Sequence, residues 1–229
     1  MDGSIWVLGV IAFLALLFLI LKATGSGTSG TDVPNAVGVG SSDTDTSSAL
    51  RSAVPPKFVV FDLETTGLDP TRHEIIEIGA IRVNRDSNVH DTLQCLVKPM
   101  KPVPKRITRL TGITQEMVDN EGEPLETVLT DFLAFFGDLP LVSFNADFDM
   151  RFLQNAAQRH NLVIRNQVSC ALKMARRAWP GRQSYRLCDL ARDGNLSDED
   201  THRALGDCKR TIFVYGGAAT KLALREKTR

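Results

Sequence analysis

The chain of 229 residues has no net charge, because 27 Lys and Arg balance 27 Asp and Glu. A strongly basic coat protein for nucleic acid is thereby excluded. Cysteine is scarce: Cys95, Cys170, Cys188 and Cys208 stand far apart, with no C-x-x-C pair. A zinc ribbon and a dense disulfide framework are excluded, and free thiols in a reducing compartment are the better reading. Aromatic residues make up 7% of the chain, and no aromatic-rich RNA-binding signature appears. No internal repeat of solenoid length is present either. What is there is ordinary globular material. A hydrophobic share of 43% and a charged share of 24% exclude a wholly disordered or fibrous chain. The length suits one domain of roughly 150–200 residues with an appendage.

Composition divides the chain into residues 1–22, 23–54 and 55–229. Ile5 to Leu21 (IWVLGVIAFLALLFLIL) runs without a charge. As a helix it would be about 25 Å long, near the lower limit for a hydrocarbon core of roughly 30 Å. Trp6 stands where an interfacial aromatic belongs. A cleaved signal peptide is the competing reading, but Met1-Asp2-Gly3-Ser4 is no positive n-region and Leu21-Lys22-Ala23-Thr24-Gly25 is a poor cleavage site. A buried helix is disfavoured because the run is apolar on every face. The expectation is therefore a single uncleaved transmembrane anchor. Asp2 before it and Lys22 after it put the remainder of the chain in the cytoplasm. Residues 23–54, rich in Gly, Ser, Thr and Asp, read as a flexible linker. Its glycines are followed by no Lys-Ser/Thr, so a phosphate-binding loop is not indicated.

From Pro55 the pattern becomes globular. KFVVFDL (57–63), EIIEIGAIRV (74–83) and TLQCLVK (92–98) read as strands, the last closed by Pro99 and Pro102. Glu123 to Phe136 has helical apolar spacing through Leu125, Val128, Leu129, Phe132, Leu133 and Phe136. LVSF (141–144) reads as a short buried strand, followed by a helix from about Asp147 to His160. Hairpin-compatible strands, then alternating helices and strands, imply an α/β domain with a mixed sheet.

Asp62 and Glu64 in FDLETTG lie two apart, so a strand places both on one face. Two carboxylates held there call for a hard divalent cation, although an isolated D-x-E is as readily a solvated strand end. In SFNADFDMRFL (143–153) Asn145 or Asp147 can cap the helix. Asp149 then falls in its first turn, pointing back to the preceding strand, or simply favours the helix dipole. In DTHRALGDC (200–208) Asp200 or Thr201 can start a long helix, with His202 at its mouth and Asp207 in its second turn.

Taken in order, FDLETTG, LTGIT, FNADFDMRFL and H-R-A-L-G-D resemble the DEDDh (DnaQ-like) exonucleases, the family of the proofreading epsilon subunit of bacterial replicative polymerases. The likeness spans about Lys57 to Leu222 and includes RITRLTGIT (106–114) and ALKMARRAWPG (171–181). It implies an RNase H-like, mixed five-stranded sheet flanked by helices. It implies further that Asp62, Glu64, Asp149 and Asp207 bind two divalent ions, Mg²⁺ or Mn²⁺, with Asp62 bridging them. Such ions, about 3.5–4 Å apart, clamp the attacking and leaving oxygens of an in-line displacement at phosphorus. His202 corresponds to the general base; the related tyrosine subfamily would place Tyr where Arg203 stands. The implied activity is 3′→5′ hydrolysis of DNA, single-stranded by preference, to nucleoside 5′-monophosphates.

Thr65 and Thr66 directly follow the metal ligands and are candidates to hold the terminal nucleotide. Leu110 and Phe148 are candidates to stack on the last bases, with core packing as the alternative. Arg165, Lys173, Arg176, Arg177, Arg182, Arg186 and Arg192 fall in a window containing one acid, Asp189, and suit phosphate contacts or a solvated helix face. An RNA exonuclease of the same fold is the main rival, because these motifs do not sense the 2′-OH. A non-catalytic, membrane-tethered nucleic-acid-binding module is the rival of another class, opposed by the filled five-residue set. LREKTR after the last helix leaves no extension with which to grip a polymerase, so polymerase association is not expected.

Overall fold

The computed structural model describes residues 48–51, 53–87, 89–194, 196 and 203–228. The apolar run 5–21, most of the linker, and Asp200, Thr201 and His202 lie outside the described residues. Among the described residues, no helix is long and apolar enough to cross a membrane.

Five strands form one sheet: β1 (Lys57–Thr65), β2 (Ile75–Asn84), β3 (Asp91–Leu96), β4 (Leu141–Ser143) and β5 (Val168–Cys170). Their order is β3-β2-β1-β4-β5, with β1, β2 and β3 antiparallel in turn and β4 and β5 parallel to β1. The mixed sheet expected from the pattern, with the five strands that the resemblance implies, is therefore present. Helices α1 (Lys105–Thr111), α2 (Gln115–Asn120) and α3 (Leu125–Phe136) separate β3 from β4, and α4 (Ala146–Arg159) separates β4 from β5. Helices α5 (Ala171–Ala178), α6 (Leu187–Arg192) and α7 (Ala204–Lys227) follow. LTGIT is the punctuation between two short helices. Gly112 ends α1 with φ 75, a conformation that glycine adopts without strain, and the Thr114 hydroxyl caps α2 by accepting from the Met117 N–H at 3.1 Å.

The strand period sorts β1 into two faces. Val59, Phe61 and Leu63 pack on α3 and α4, where Phe132 tilts against Phe61 (centroids 5.6 Å apart) and meets Phe136 edge-on (4.9 Å). Burying each such ring stabilises the fold by roughly 1.5–3 kcal/mol. Phe58 and Val60 face the other way, onto Tyr215 and Ala219 of α7. Asp62 and Glu64 continue this second row. The α7 face of the sheet is thus apolar at the start of β1 and acidic at its end.

Candidate functional site

Each residue of that second row has a partner on β2. Val60 lies opposite Ile81, Asp62 opposite Gly79, and Glu64 opposite Glu77. Gly79 lets α7 approach closely, since a Cβ there would stand 2.6 Å from the backbone of Ala204 and Leu205. Asp207, in the first turn of α7, is thereby lowered onto the acidic end of β1. Carboxylate oxygens of Asp62, Glu64 and Asp207 all come within 4.8 Å of one another. Asp207 also pairs with Arg210.

Asp149 comes from α4 to a neighbouring position, close enough to raise the Asp62 pKa but outside the group of three whose oxygens meet within 4.8 Å. β4 pairs with β1 only at Val59 and Val60. Beyond that pairing, Asp149 Oδ1 accepts the Leu63 N–H at 3.3 Å, and its Oδ2 accepts the Ser143 hydroxyl at 2.6 Å. The buried carboxylate is therefore anchored at the ends of two parallel strands. Asp147, by contrast, is exposed and pairs with Lys173 Nζ at 2.7 Å. Asn145 is the N-cap residue of α4, without a side-chain capping bond.

The electrostatics are those of crowded acids. Burial raises the Asp62 carboxyl well above its ordinary range, and Asp149, Asp207, Glu64 and Glu77 add to the shift. Glu64 is pushed up to about 9, first by burial, then by Asp207, Glu77 and Asp149, with Arg203 acting against them. Asp149 rises to about 7 through burial, opposed by its bonds to Ser143 and Leu63. Such a set of clustered oxygen donors, with Asp62, Glu64 and Asp149 resisting ionisation chiefly through burial, fits a hard divalent cation.

A fifth carboxylate enters that sequence reasoning did not single out. Glu77 is fully buried and accepts from Arg203, from the Ala204 N–H at 2.9 Å and from Gln94 Nε2 at 2.9 Å. The one signal in sequence is an acid inside the isoleucine run I-I-E-I, where β2 is buried on both faces.

The substrate candidates fare unevenly. Thr65 and Thr66 are buried, and their hydroxyls are used inside the β1–β2 turn. Thr65 Oγ1 donates to the Gly67 carbonyl at 2.6 Å, and Thr66 Oγ1 accepts the Glu74 N–H at 2.9 Å. Each hydroxyl of the two nucleotide-binding candidates thus already has one partner within the turn. Leu110 is 54% exposed on α1, whereas Phe148 is half-buried against Phe152, with centroids 5.1 Å apart. The basic window does not form one face. Arg165 lines a groove beside Asp138 and Pro140, at the starting ends of β4 and β5 and away from the carboxylates. Arg182 pairs with Asp193, and Arg192 with Asp189 at 3.2 Å. Arg176 lies over the Tyr185 ring at 5.9 Å.

A mixed sheet whose end gathers acids from a strand and two helices defines an α/β domain suited to holding divalent metal. The chain belongs to the exonuclease (RNase_T) family, which matches it over residues 59–215. It is 36% identical over 160 residues to the DNA polymerase III subunit epsilon of Aquifex aeolicus, a stretch covering 69% of this chain and 78% of that one. It is also 36% identical over 165 residues to the PolC-type DNA polymerase III of Caldanaerobacter subterraneus subsp. tengcongensis. That match takes in 72% of this chain and only 12% of the polymerase. Among solved structures, Exonuclease X in complex with 5′-overhanging duplex DNA superposes with a TM-score of 0.56 at 26% identity, over 75% of this chain and 93% of that one. The zinc-bound E. coli exonuclease I–ssDNA complex shares the fold, with a TM-score of 0.62 at 20% identity over 77% and 42% of the two chains.

Proposed function

We propose that this chain is a divalent-metal-dependent 3′→5′ exonuclease of the DEDDh type. It removes nucleoside 5′-monophosphates from DNA, preferring single strands. The observation that carries this reading is the convergence of Asp62, Glu64 and Asp207 within 4.8 Å on an exonuclease fold, with Asp149 anchored beside them. These four carboxylates would hold Mg²⁺ or Mn²⁺, which when bound would supply Lewis-acid stabilisation to the oxygens at phosphorus. The protein's own part is orientation and proton transfer. Ser143 and the Leu63 N–H fix Asp149, and the helix start at Arg203 sets Asp207. His202, with an ordinary pKa of about 6.5, takes the proton of the attacking water. Water adds its oxygen to phosphorus, the bond to O3′ breaks, and O3′ takes up a proton from solvent, so that the shortened strand ends in a 3′-hydroxyl. Exposed Leu110 offers apolar surface for the last base.

The test uses the full-length chain with 5′-labelled single-stranded DNA or RNA, in Mg²⁺, Mn²⁺ or EDTA. Stepwise shortening of DNA with release of 5′-mononucleotides, abolished by EDTA, is expected. Failure to shorten either polymer sinks the enzyme reading, and faster loss of RNA sinks the DNA assignment.

We also propose that residues 5–21 anchor the enzyme in a membrane with the nuclease on the cytoplasmic side. The charge-free length of that run supports it. Full-length protein is expected to stay in the membrane fraction through a high-salt wash. Recovery in the soluble fraction would defeat the anchor.

A further inference from the structure

Glu77 stands directly across from Glu64 on β2, where its charge adds to an already crowded set of acids. Its oxygens are nonetheless turned to other work. Oε1 accepts from Arg203 Nη2 at 2.6 Å, Arg203 Nε at 3.0 Å and Gln94 Nε2 at 2.9 Å. Oε2 accepts from the Ala204 N–H at 2.9 Å and from Arg203 Nε at 3.2 Å. An ionised carboxylate has about four lone-pair sites, and those of Glu77 are filled by protein donors. It is therefore not a further metal ligand.

What these donors share is their place in the chain. Arg203 is the N-cap residue of α7, which has no side-chain capping bond of its own, and Ala204 opens the helix. The orphan N–H of Ala204 is satisfied by Glu77 across the sheet. The Arg203 carbonyl in turn accepts the Asp207 N–H at 3.0 Å. One turn further on, Cys208 Sγ donates to the Gly79 carbonyl at 3.3 Å. The helix start is thus fastened to β2 on both sides of Asp207, at Glu77 and at Gly79.

We infer that Glu77 and Arg203 form a positioning pair that sets the height and rotation of α7, so that Asp207 meets Asp62 and Glu64 at metal-binding distance. The pair acts through Asp207 and touches neither metal nor substrate. Because Arg203 follows His202 directly, the same fastening fixes where the segment holding the proposed base joins the helix. This inference rests on the metal-dependent reading given above.

The experiment measures Mn²⁺ binding by calorimetry on full-length wild type, Glu77→Gln and Arg203→Lys, with steady-state cleavage of single-stranded DNA alongside. Glu77→Gln keeps the shape and an acceptor oxygen but loses the charge that holds the guanidinium. It is expected to weaken Mn²⁺ binding and lower kcat by about tenfold each, within the range of second-layer ligand supports, while KM changes by less than about twofold. Arg203→Lys keeps the charge and gives up the two-pronged geometry, so its losses are expected to be smaller in both quantities. A merely structural pair would lower the melting temperature and leave the Mn²⁺ affinity of the folded fraction untouched. Folded Glu77→Gln with wild-type Mn²⁺ affinity overturns the inference, as does a change confined to KM. Should Glu77→Gln not fold, Arg203→Lys decides by the same criterion: unchanged Mn²⁺ affinity overturns. A wild-type chain that binds no Mn²⁺ overturns the metal-dependent reading itself, and the inference with it.

Discussion

Replacing Asp62 with asparagine is expected to cut turnover roughly 10³-fold, or about 4 kcal/mol of transition-state stabilisation. The metal-free fold of the same variant is expected to be more stable than wild type. The two effects have one origin. Asp62 lies at the centre of the acidic group: Asp149, Asp207, Glu64 and Glu77 all raise its pKa, which burial has already lifted. Four neighbouring carboxylates oppose its ionisation, and in the proposed reading it is the ligand shared by the bound ions. Asparagine keeps the side-chain shape and removes the charge, so repulsion among the remaining acids falls while the metal loses its central ligand. Melting curves in EDTA and turnover in Mg²⁺ check both halves. A variant that loses activity and also melts lower in EDTA would show that Asp62 serves the fold rather than the metal.

The opposition between function and stability also explains what was legible in the sequence. Asp62 and Glu64 could be read because strand period two is a local rule, and the face they share is set by Phe58 and Val60 before them. Asp149 is singled out over Asp147 through the family resemblance alone, and in the structure Asp149 is buried while Asp147 is exposed. Glu77 was not legible in the same way. In EIIEIGAIRV it reads as the polar position of an alternating strand. Its charged partner is Arg203, which lies 126 residues away in sequence. The close approach at Gly79 has the same character, since only the arrival of α7 shows why a side chain is excluded there. The surroundings of the threonines after Glu64 show the same limit. Their proximity to the metal ligands is local, but the claim on their hydroxyls comes from Gly67 and Glu74 in the turn. The basic window carries no information on sides: Arg165 lines a groove with Asp138 and Pro140, while Arg182 and Arg192 pair with Asp193 and Asp189.

The second large effect concerns metal and pH together. Glu64, with an ordinary value of 4.5, is raised to about 9, and Asp149, from 3.8, to about 7. A carboxyl whose folded pKa exceeds its unfolded value binds its proton more tightly in the native state. Its contribution is fully present below the unfolded value and is lost as pH climbs through the folded one. The metal-free protein should therefore lose stability between about pH 4 and pH 9, as these groups are forced to ionise side by side. A divalent ion reverses the sign, because it needs the same groups ionised and binds more tightly as protons leave. At a metal concentration 100 times Kd the native state gains about 2.7 kcal/mol, or roughly 5–10 °C in melting temperature for a domain of this size. The expected result is a pair of diverging curves from pH 5 to pH 8. The melting temperature in EDTA declines, and the gap to the curve in Mn²⁺ widens. Asp62→Asn should flatten the EDTA curve and close most of the gap, because it removes the charge that both trends share. A gap of constant size across that range would mean that the metal does not draw on these carboxylates, and the assignment of Glu64 and Asp149 to it would fall.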